Sequence, residues 1–164
     1  MNELALCFIG DSAHAPAAHI LENLEDELAH RRVAGAPHTI YEELWHAAFW
    51  QQVMLERVRG LGTPTPETNE VSFPTAEQKR AEPWSSLFRR FLSGAQEAAA
   101  LAGQEAAKLD AVVRCPSPQD AARAMTVREQ LESFAAHNAY HFGRIVQLRQ
   151  MLGSWPPPSG GLTW

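Results

Sequence analysis

The sequence predicts an all-α protein, a four-helix bundle with a long crossover, and three observations point to this class. The 164 residues lack alternating runs rich in Val, Ile and Thr, so strands are not expected to form the framework. Two segments open with the Thr-x-x-Glu spacing of a helix capping box. A stretch rich in Pro, Gly and Thr, 60–84, separates two pairs of helical segments, as in bundles with one long connection.

The first half of the chain predicts two helices. The first extends from about Ala13 to Arg32, with a helical turn or two before it in "NELALCFI". Thr39 and Glu42 form the first capping box, and the second helix continues from there to about Arg59. The connection that follows is long for a loop in a compact domain, which favours either a crossover or a segment that covers a site.

The second half predicts two more helices. The third is Ala-rich and extends from about Pro83 to Leu109, after which "RCPSPQD" breaks the pattern. Thr126 and Glu129 repeat the capping-box spacing and open the fourth helix, which ends at Gly153. The tail, 153–164, is expected to be extended, with its apolar residues against the bundle.

Composition and charge limit the classes of protein. The length fits a single domain, 1–164. A net charge of −5 with scattered Lys and Arg argues against nucleic-acid binding. Cys7 and Cys115 form neither a C-x-x-C pair nor a disulfide framework, which favours a reduced, cytoplasmic setting. No apolar run approaches the length of a membrane helix, and "LALCFIG" is too short for a secretory signal.

The fourth helix carries two histidines on or beside its inward face. Its seam alternates steps of four and three, and all seam positions are apolar except Asn138 and His141. His137 lies one residue off that seam, about 40° around the axis and about 6 Å along it from His141, so both imidazoles can reach one point. His46 flanks the matching seam of the second helix.

Three inward histidines favour a metal site. One buried histidine is usually satisfied by a backbone carbonyl or a neighbouring side chain, so H-x-x-x-H alone is a weak signal. With His46 on a separate helix, a divalent metal held by three neutral imidazoles becomes the favoured interpretation, and it leaves one coordination position open. A bundle without any metal is the remaining alternative.

The segments "TIYEELWHAAFWQ" and "TVREQLESFAAHNAYHFGRIVQLRQMLGSWPPP" resemble the DinB/YfiT-like superfamily over essentially the whole chain. The resemblance implies an up-down-down-up bundle, often dimeric, with a divalent metal on His46, His137 and His141. Some relatives are metal-dependent thiol transferases, and many have no assigned activity. The chain departs from the family pattern with Arg144 in place of a frequent glutamine and with Asn138 where an acid is frequent, so the substrate is left open.

A di-iron site is a weaker alternative. Glu43 and His46 form one E-x-x-H unit, but the fourth helix offers no second copy. Glu43 is therefore predicted to be a solvated helix residue, with a role beside His46 as the less favoured interpretation.

Other residues are weaker candidates for chemistry. His14, at the helix entry "SAHAP", is a candidate for proton transfer or for the pocket mouth, with a surface position at the helix entry as the alternative. Tyr140 could hold water near a metal. Trp50, Asn138 and Arg144 are candidate substrate contacts. Packing is the commoner role for Trp50 and Tyr140, and a surface salt bridge is the commoner role for Arg144.

Two functions follow as hypotheses. The first is a metal-dependent enzyme that transfers or hydrolyses, with zinc or nickel favoured, iron or manganese also fitting, and a low-molecular-weight thiol or another small molecule as substrate. The second is a non-catalytic, metal-stabilised homodimer that acts as an interaction or stress-response module. Neither hypothesis includes a nucleic-acid or membrane partner.

Overall fold

The computed structural model describes residues 1–10 and 12–160, and these residues are mostly helical, as predicted. The predicted tail extends past them, and Trp164 lies outside the described residues. The helices are, in chain order, α1 (Glu3–Ile9), α2 (Ala17–Ile20), α3 (Asp26–His30), α4 (Ile40–Val58), α5 (Ala76–Ala81), α6 (Trp84–Ala102), α7 (Ala106–Leu109) and α8 (Val127–Met151). The remaining elements are a 3-10 turn, η1 (Asn69–Ser72), and the strands β1 (Val112–Arg114) and β2 (Ala124–Thr126).

Both predicted capping boxes form, and they begin the two helices that carry the histidines. The Thr39 hydroxyl accepts from the Glu42 backbone N–H at 3.2 Å, and the Glu42 carboxylate accepts from the Thr39 N–H at 2.8 Å. Thr126 and Glu129 make the same reciprocal pair at the start of α8. These bonds satisfy N–H groups that a helix start leaves without partners, so the sequence places the starts of α4 and α8 correctly.

The predicted first helix is divided in the structure. In place of one helix over 13–32, α2 and α3 are short and separate, while α1 packs along α6. Asn23 lies between α2 and α3 with a positive φ of 52°, a conformation that asparagine tolerates better than most residues but that a right-handed helix excludes. The apolar periodicity of this segment therefore did not require one continuous helix.

The predicted third helix is shorter than expected. α6 ends at Ala102 with Gly103 as its C-cap, and α7 forms a separate turn that ends at Leu109. Glycine is unfavourable inside a helix, because without a side chain it loses more backbone freedom there than other residues do. It is therefore common at helix ends. The "AGQ" of the Ala-rich run is therefore a helix stop.

A small hairpin precedes α8. β1 and β2 pair antiparallel, with Val112 opposite Thr126 and Arg114 opposite Ala124, and enclose the predicted break "RCPSPQD". Strands of three residues give too little alternation to be recognised in a sequence. The hairpin carries Arg123 and Met125 to the start of α8.

The crossover is partly ordered by its own local signals. It contains η1 and α5, and α5 opens with a capping box between Thr75 and Gln78. Ser72, at the end of η1, is fully buried. The connection therefore covers part of α4.

The apolar core consists of two clusters along α4 and α8. One includes Tyr41, Phe91 and Phe142, and the other includes Phe8 and Phe134. On α8, His137 and His141 lie where one cluster gives way to the other, and His46 lies on α4 beside the first cluster. Among the described helices, none combines the length and the hydrophobicity that crossing a membrane requires.

Candidate metal centre

The three predicted histidines converge on one point between α4 and α8. His137 Nε2 lies 3.3 Å from His46 Nε2 and 3.2 Å from His141 Nε2. His46 and His141 are each only 5% exposed, so the cluster is largely withdrawn from solvent. Each of the three residues offers a ligand atom within 4.8 Å of the others, which is close enough to hold a metal ion.

The spacing of the ring nitrogens fits a tetrahedral ion. Histidine nitrogens at about 2.0–2.1 Å from such an ion lie about 3.3–3.4 Å apart. The two nitrogen–nitrogen distances given above agree with this value within about 0.2 Å. Three imidazoles leave a fourth position for another ligand.

Hydrogen bonds at the opposite ring nitrogens fix two of the three tautomers. His141 Nδ1 donates to Glu43 Oε2 at 2.7 Å, which leaves the lone pair of His141 on Nε2. His46 Nδ1 lies 3.2 Å from the Ser72 carbonyl oxygen and 2.9 Å from the Ser72 hydroxyl. Because the carbonyl can only accept, His46 also carries its proton on Nδ1. The Nε2 atoms of His46 and His141 therefore both carry lone pairs, and both lie next to His137 Nε2, an arrangement that a cation stabilises.

The electrostatic environment keeps two of the rings neutral. Burial is the main cause that lowers the pKa of His46 to about 4, and repulsion from a proton on His141 would act in the same direction. The same two causes, in the same order, lower the pKa of His137 to about 3. Both imidazoles are uncharged at neutral pH, which is the form that binds a metal.

Glu43 has a different role from the one predicted. It is fully buried rather than solvated, and it contacts His141 rather than His46. Its second oxygen, Oε1, lies 2.8 Å from Arg144 Nη2. The two groups form an ion pair, but their angles are too bent for a hydrogen bond. Position 43 follows Ile40 by three residues and precedes Ala47 by four, so it belongs to the inward stripe of α4. That spacing was the sequence signal for its burial.

Arg144 is paired with this buried acid and not with a surface one. Its Nη1 also donates to the Tyr140 hydroxyl at 3.0 Å. Tyr140 is largely exposed, while its ring meets the edge of His141 at a centroid distance of 5.1 Å. Both candidates therefore adjoin the outer side of His141.

The other candidates lie at different distances from the cluster. Trp50 approaches both His46 and His137 edge-on, with ring centroids 6.4 and 6.3 Å away. Asn138 is almost fully buried, and its Oδ1 has no hydrogen-bond partner among the described residues. His14 packs against Phe142 and lines a separate cavity of about 280 Å³, and it is not one of the three clustered residues.

The crossover supplies contacts that the sequence analysis missed. Phe73 stacks on the His46 ring at 4.3 Å, next to the Ser72 contacts. Ser72 is 26 residues from His46 in the chain, and no periodic pattern connects them. Only the path of the crossover brings the two residues together.

A cavity of about 200 Å³ adjoins the cluster on the His137 side. Its wall comes from α4, the hairpin and α8, and includes Trp50, Arg57, Arg123 and Ser133. A small molecule in this cavity would be next to the histidine cluster.

Comparison with known protein families gives a match to a family model. Residues 11–145 match the family model described as the DinB superfamily, and this range contains all three histidines. Comparisons with curated proteins and with solved structures gave no significant match. The match extends over more than half of the chain, and the protein therefore belongs to the DinB superfamily.

Proposed function

We propose that the protein binds one divalent metal ion through His46, His137 and His141 and uses it as an enzyme. DinB-like proteins bind metals. The observation that carries the proposal is the position of His137 Nε2, 3.3 Å from His46 Nε2 and 3.2 Å from His141 Nε2, with the opposite nitrogens of His46 and His141 held by hydrogen bonds. Zinc or nickel is the favoured ion, and iron or manganese also fits nitrogen ligands.

The favoured reactions are transfer of a thiol and hydrolysis. A divalent ion with one open position supplies Lewis acidity, which lowers the pKa of a water or a thiol that it binds. The protein supplies orientation: Glu43 holds His141, and Ser72 holds His46. Trp50 and Phe73 cover the cluster with apolar surface, which strengthens electrostatic interactions inside it.

Candidate roles for the neighbouring polar residues follow from their contacts. Tyr140 and His14 remain candidates for proton transfer. Of the two, Tyr140 contacts the histidine cluster, because its ring packs against His141. Asn138 is a candidate for holding substrate, since a buried carbonyl oxygen without a described partner can accept a hydrogen bond. Arg144 would act mainly by holding Glu43.

Elemental analysis of protein purified without a histidine tag tests the metal, and thiol-transfer and hydrolysis assays test the reaction. We expect about one divalent ion per chain in the wild type and none in His137→Ala, with turnover lost while the helical content is retained. Absence of a stoichiometric ion in the wild type would contradict the proposal.

A non-catalytic, metal-stabilised homodimer is the second candidate. The observation that favours it is that the carboxylate beside the cluster, Glu43, is occupied by His141 and Arg144 and is therefore not free to act as a base. Under this function, metal removal lowers the melting temperature and no thiol or ester is turned over. The up-down-down-up order, the dimer and the cytoplasmic location stay predictions under both functions.

A further inference from the structure

Arg57 is a buried cation without an acidic partner among the described residues. It lies in the last turn of α4 and is only 6% exposed. Its Nε donates to the Thr63 carbonyl and its Nη2 to the Thr65 hydroxyl, both at 2.8 Å. These two bonds use two of the five N–H donors of a guanidinium. No described Asp or Glu forms an ion pair with it, and its Nη1 donates no hydrogen bond to the described residues.

A buried guanidinium of this kind is costly unless something compensates its charge. The C-terminal dipole of α4 and the two oxygen acceptors offset part of the cost. Burial is the main cause that lowers the pKa of Arg57. The positive charge of Arg123 lowers this pKa further, whereas Cys115 raises it. The charged neighbours therefore include a second cation and no carboxylate.

Both arginines line the same cavity as His137. Its apolar wall includes Trp50, Met54 and Phe134, and no acid is among the described lining residues. Ser133 and Gln130 add polar groups from α8. A concave apolar site with a few convergent polar groups is the usual form of a small-molecule site.

The positions of Arg57 and His46 on α4 set the length of a ligand that could use both. Eleven residues of helix correspond to a rise of about 16 Å. Both side chains tilt toward the helix N-terminus and the longer arginine reaches further, so the guanidinium lies on the order of 10 Å from the histidine cluster. The cavity volume of about 200 Å³ suits a ligand of this length with roughly ten non-hydrogen atoms.

We propose that this cavity binds the carboxylate of a small organic acid, with Arg57 as the principal contact and Arg123 at its mouth. The proposal rests on the proposed function for the other end of the ligand, where a thiol or another reacting group meets the histidine cluster. Arginine suits this role because its planar fork matches the two oxygens of a carboxylate. The substrate class is then a small acid whose reacting group is separated from the carboxylate by a chain of about five methylenes.

Binding of matched acids and alcohols to the metal-loaded protein tests this subsite. Isothermal titration calorimetry would compare 6-mercaptohexanoate with 6-mercaptohexanol, and hexanoate with hexanol. We expect each acid to bind about 10- to 100-fold more tightly than its alcohol, because hydrogen bonds to a charged group are the strong ones. Shortening the acid to 3-mercaptopropionate is expected to remove most of this advantage. Equal affinity of acid and alcohol, or no measurable binding of either acid, would overturn the subsite.

Variants then assign the contact. Arg57→Lys and Arg57→Gln are expected to remove at least tenfold of the acid's advantage and leave the affinity for 6-mercaptohexanol unchanged. Arg123→Gln, at an exposed position, is expected to reduce the affinity advantage of the acid by a smaller factor. This variant replaces the Arg57 variants as the test if they do not fold. Arg59→Gln is the matched control, because Arg59 pairs with Glu97 outside the cavity. An acid preference unchanged in every one of these variants would also overturn the subsite.

Metal content separates this proposal from the proposed function. A wild type with a stoichiometric ion but no preference for the acid contradicts only the subsite. A wild type without an ion that still prefers hexanoate over hexanol, through Arg57, contradicts only the metal-dependent function.

Discussion

His137 and His141 lie one turn apart on the same helix, and their surroundings differ. His141 donates from Nδ1 to the buried Glu43 at 2.7 Å, whereas the Nδ1 of His137 is buried without a hydrogen-bond partner among the described residues. His137 lines the cavity that contains Arg57, and His141 is not among the described residues of that lining. The difference indicates a division of roles, in which α4 holds His141 firmly and His137 adjoins the space open to a small molecule.

The largest expected effect comes from removing each histidine in turn. His137→Ala and His141→Ala should each weaken metal binding by at least about 100-fold, since loss of a ligand exceeds the 10- to 100-fold effect of losing its hydrogen-bond partner. Without metal the two variants should differ: His141→Ala leaves the Glu43 oxygen unsatisfied and should cost about 1–3 kcal/mol more in the free energy of unfolding. Competition with a chelator and chemical denaturation would measure the two quantities.

Equal stability of the two metal-free variants would contradict the division of roles. Ala136→Ser is a suitable control, because Ala136 is exposed on α8 beside His137. This control should change neither the metal affinity nor the stability by a measurable amount.

Glu43→Gln is expected to have the next largest effect. The amide oxygen can still accept from His141, but the negative charge that raises the ligand's basicity is lost, and Arg144 loses its ion-pair partner. We expect metal affinity to fall by about 10- to 100-fold while helical content is retained. Glu132→Gln, at an exposed position of α8, is the matched control, and metal titration monitored by calorimetry is the measurement. An unchanged affinity in Glu43→Gln would mean that His141 needs no support from α4.

The pH dependence of the metal-free protein should sharpen the same comparison. The folded-state pKa values of His46 and His137, about 4 and about 3, lie below the ordinary value of 6.5, so the unfolded chain binds more protons than the folded chain between these values. Stability is therefore complete above about pH 6.5 and is lost as the pH falls toward 4, by about 1.4 kcal/mol per pH unit for each histidine. Denaturation curves between pH 7 and pH 4.5 would measure this loss.

His137→Ala removes one of the two groups and should reduce that slope by about half. This substitution tests the histidine itself, because the rest of α8 is unchanged. A slope unaffected by the substitution would mean that other groups determine the acid sensitivity.

Much of the site follows from local patterns in the sequence, and the missing part is non-local. The capping boxes at Thr39 and Thr126 fix where α4 and α8 begin, and the helical period then brings the histidines to one face. Glu43 was predicted to be solvated although its spacing put it on the inward stripe, because a single acid on a helix is usually exposed. Ser72 could not be predicted, since its position depends on the path of the crossover. The first helix was wrong because a single left-handed residue, Asn23, ends a helix without disturbing the apolar pattern.

The smallest expected effect is that of Ser72→Ala, and it compares the two supports of the centre. His46 loses the hydroxyl contact at 2.9 Å but keeps the Ser72 carbonyl at 3.2 Å, so its tautomer remains fixed by the backbone. The hydroxyl also donates to the Asn69 carbonyl at 2.5 Å, so its loss should loosen η1 more than it moves the imidazole. We expect metal affinity to fall by less than about tenfold, below the effect of Glu43→Gln. Calorimetric titration of both variants under one condition gives the ratio. If Ser72→Ala costs as much as Glu43→Gln, the crossover contributes as much as α4 to the geometry of the centre, because Ser72 contacts His46 and Glu43 contacts His141.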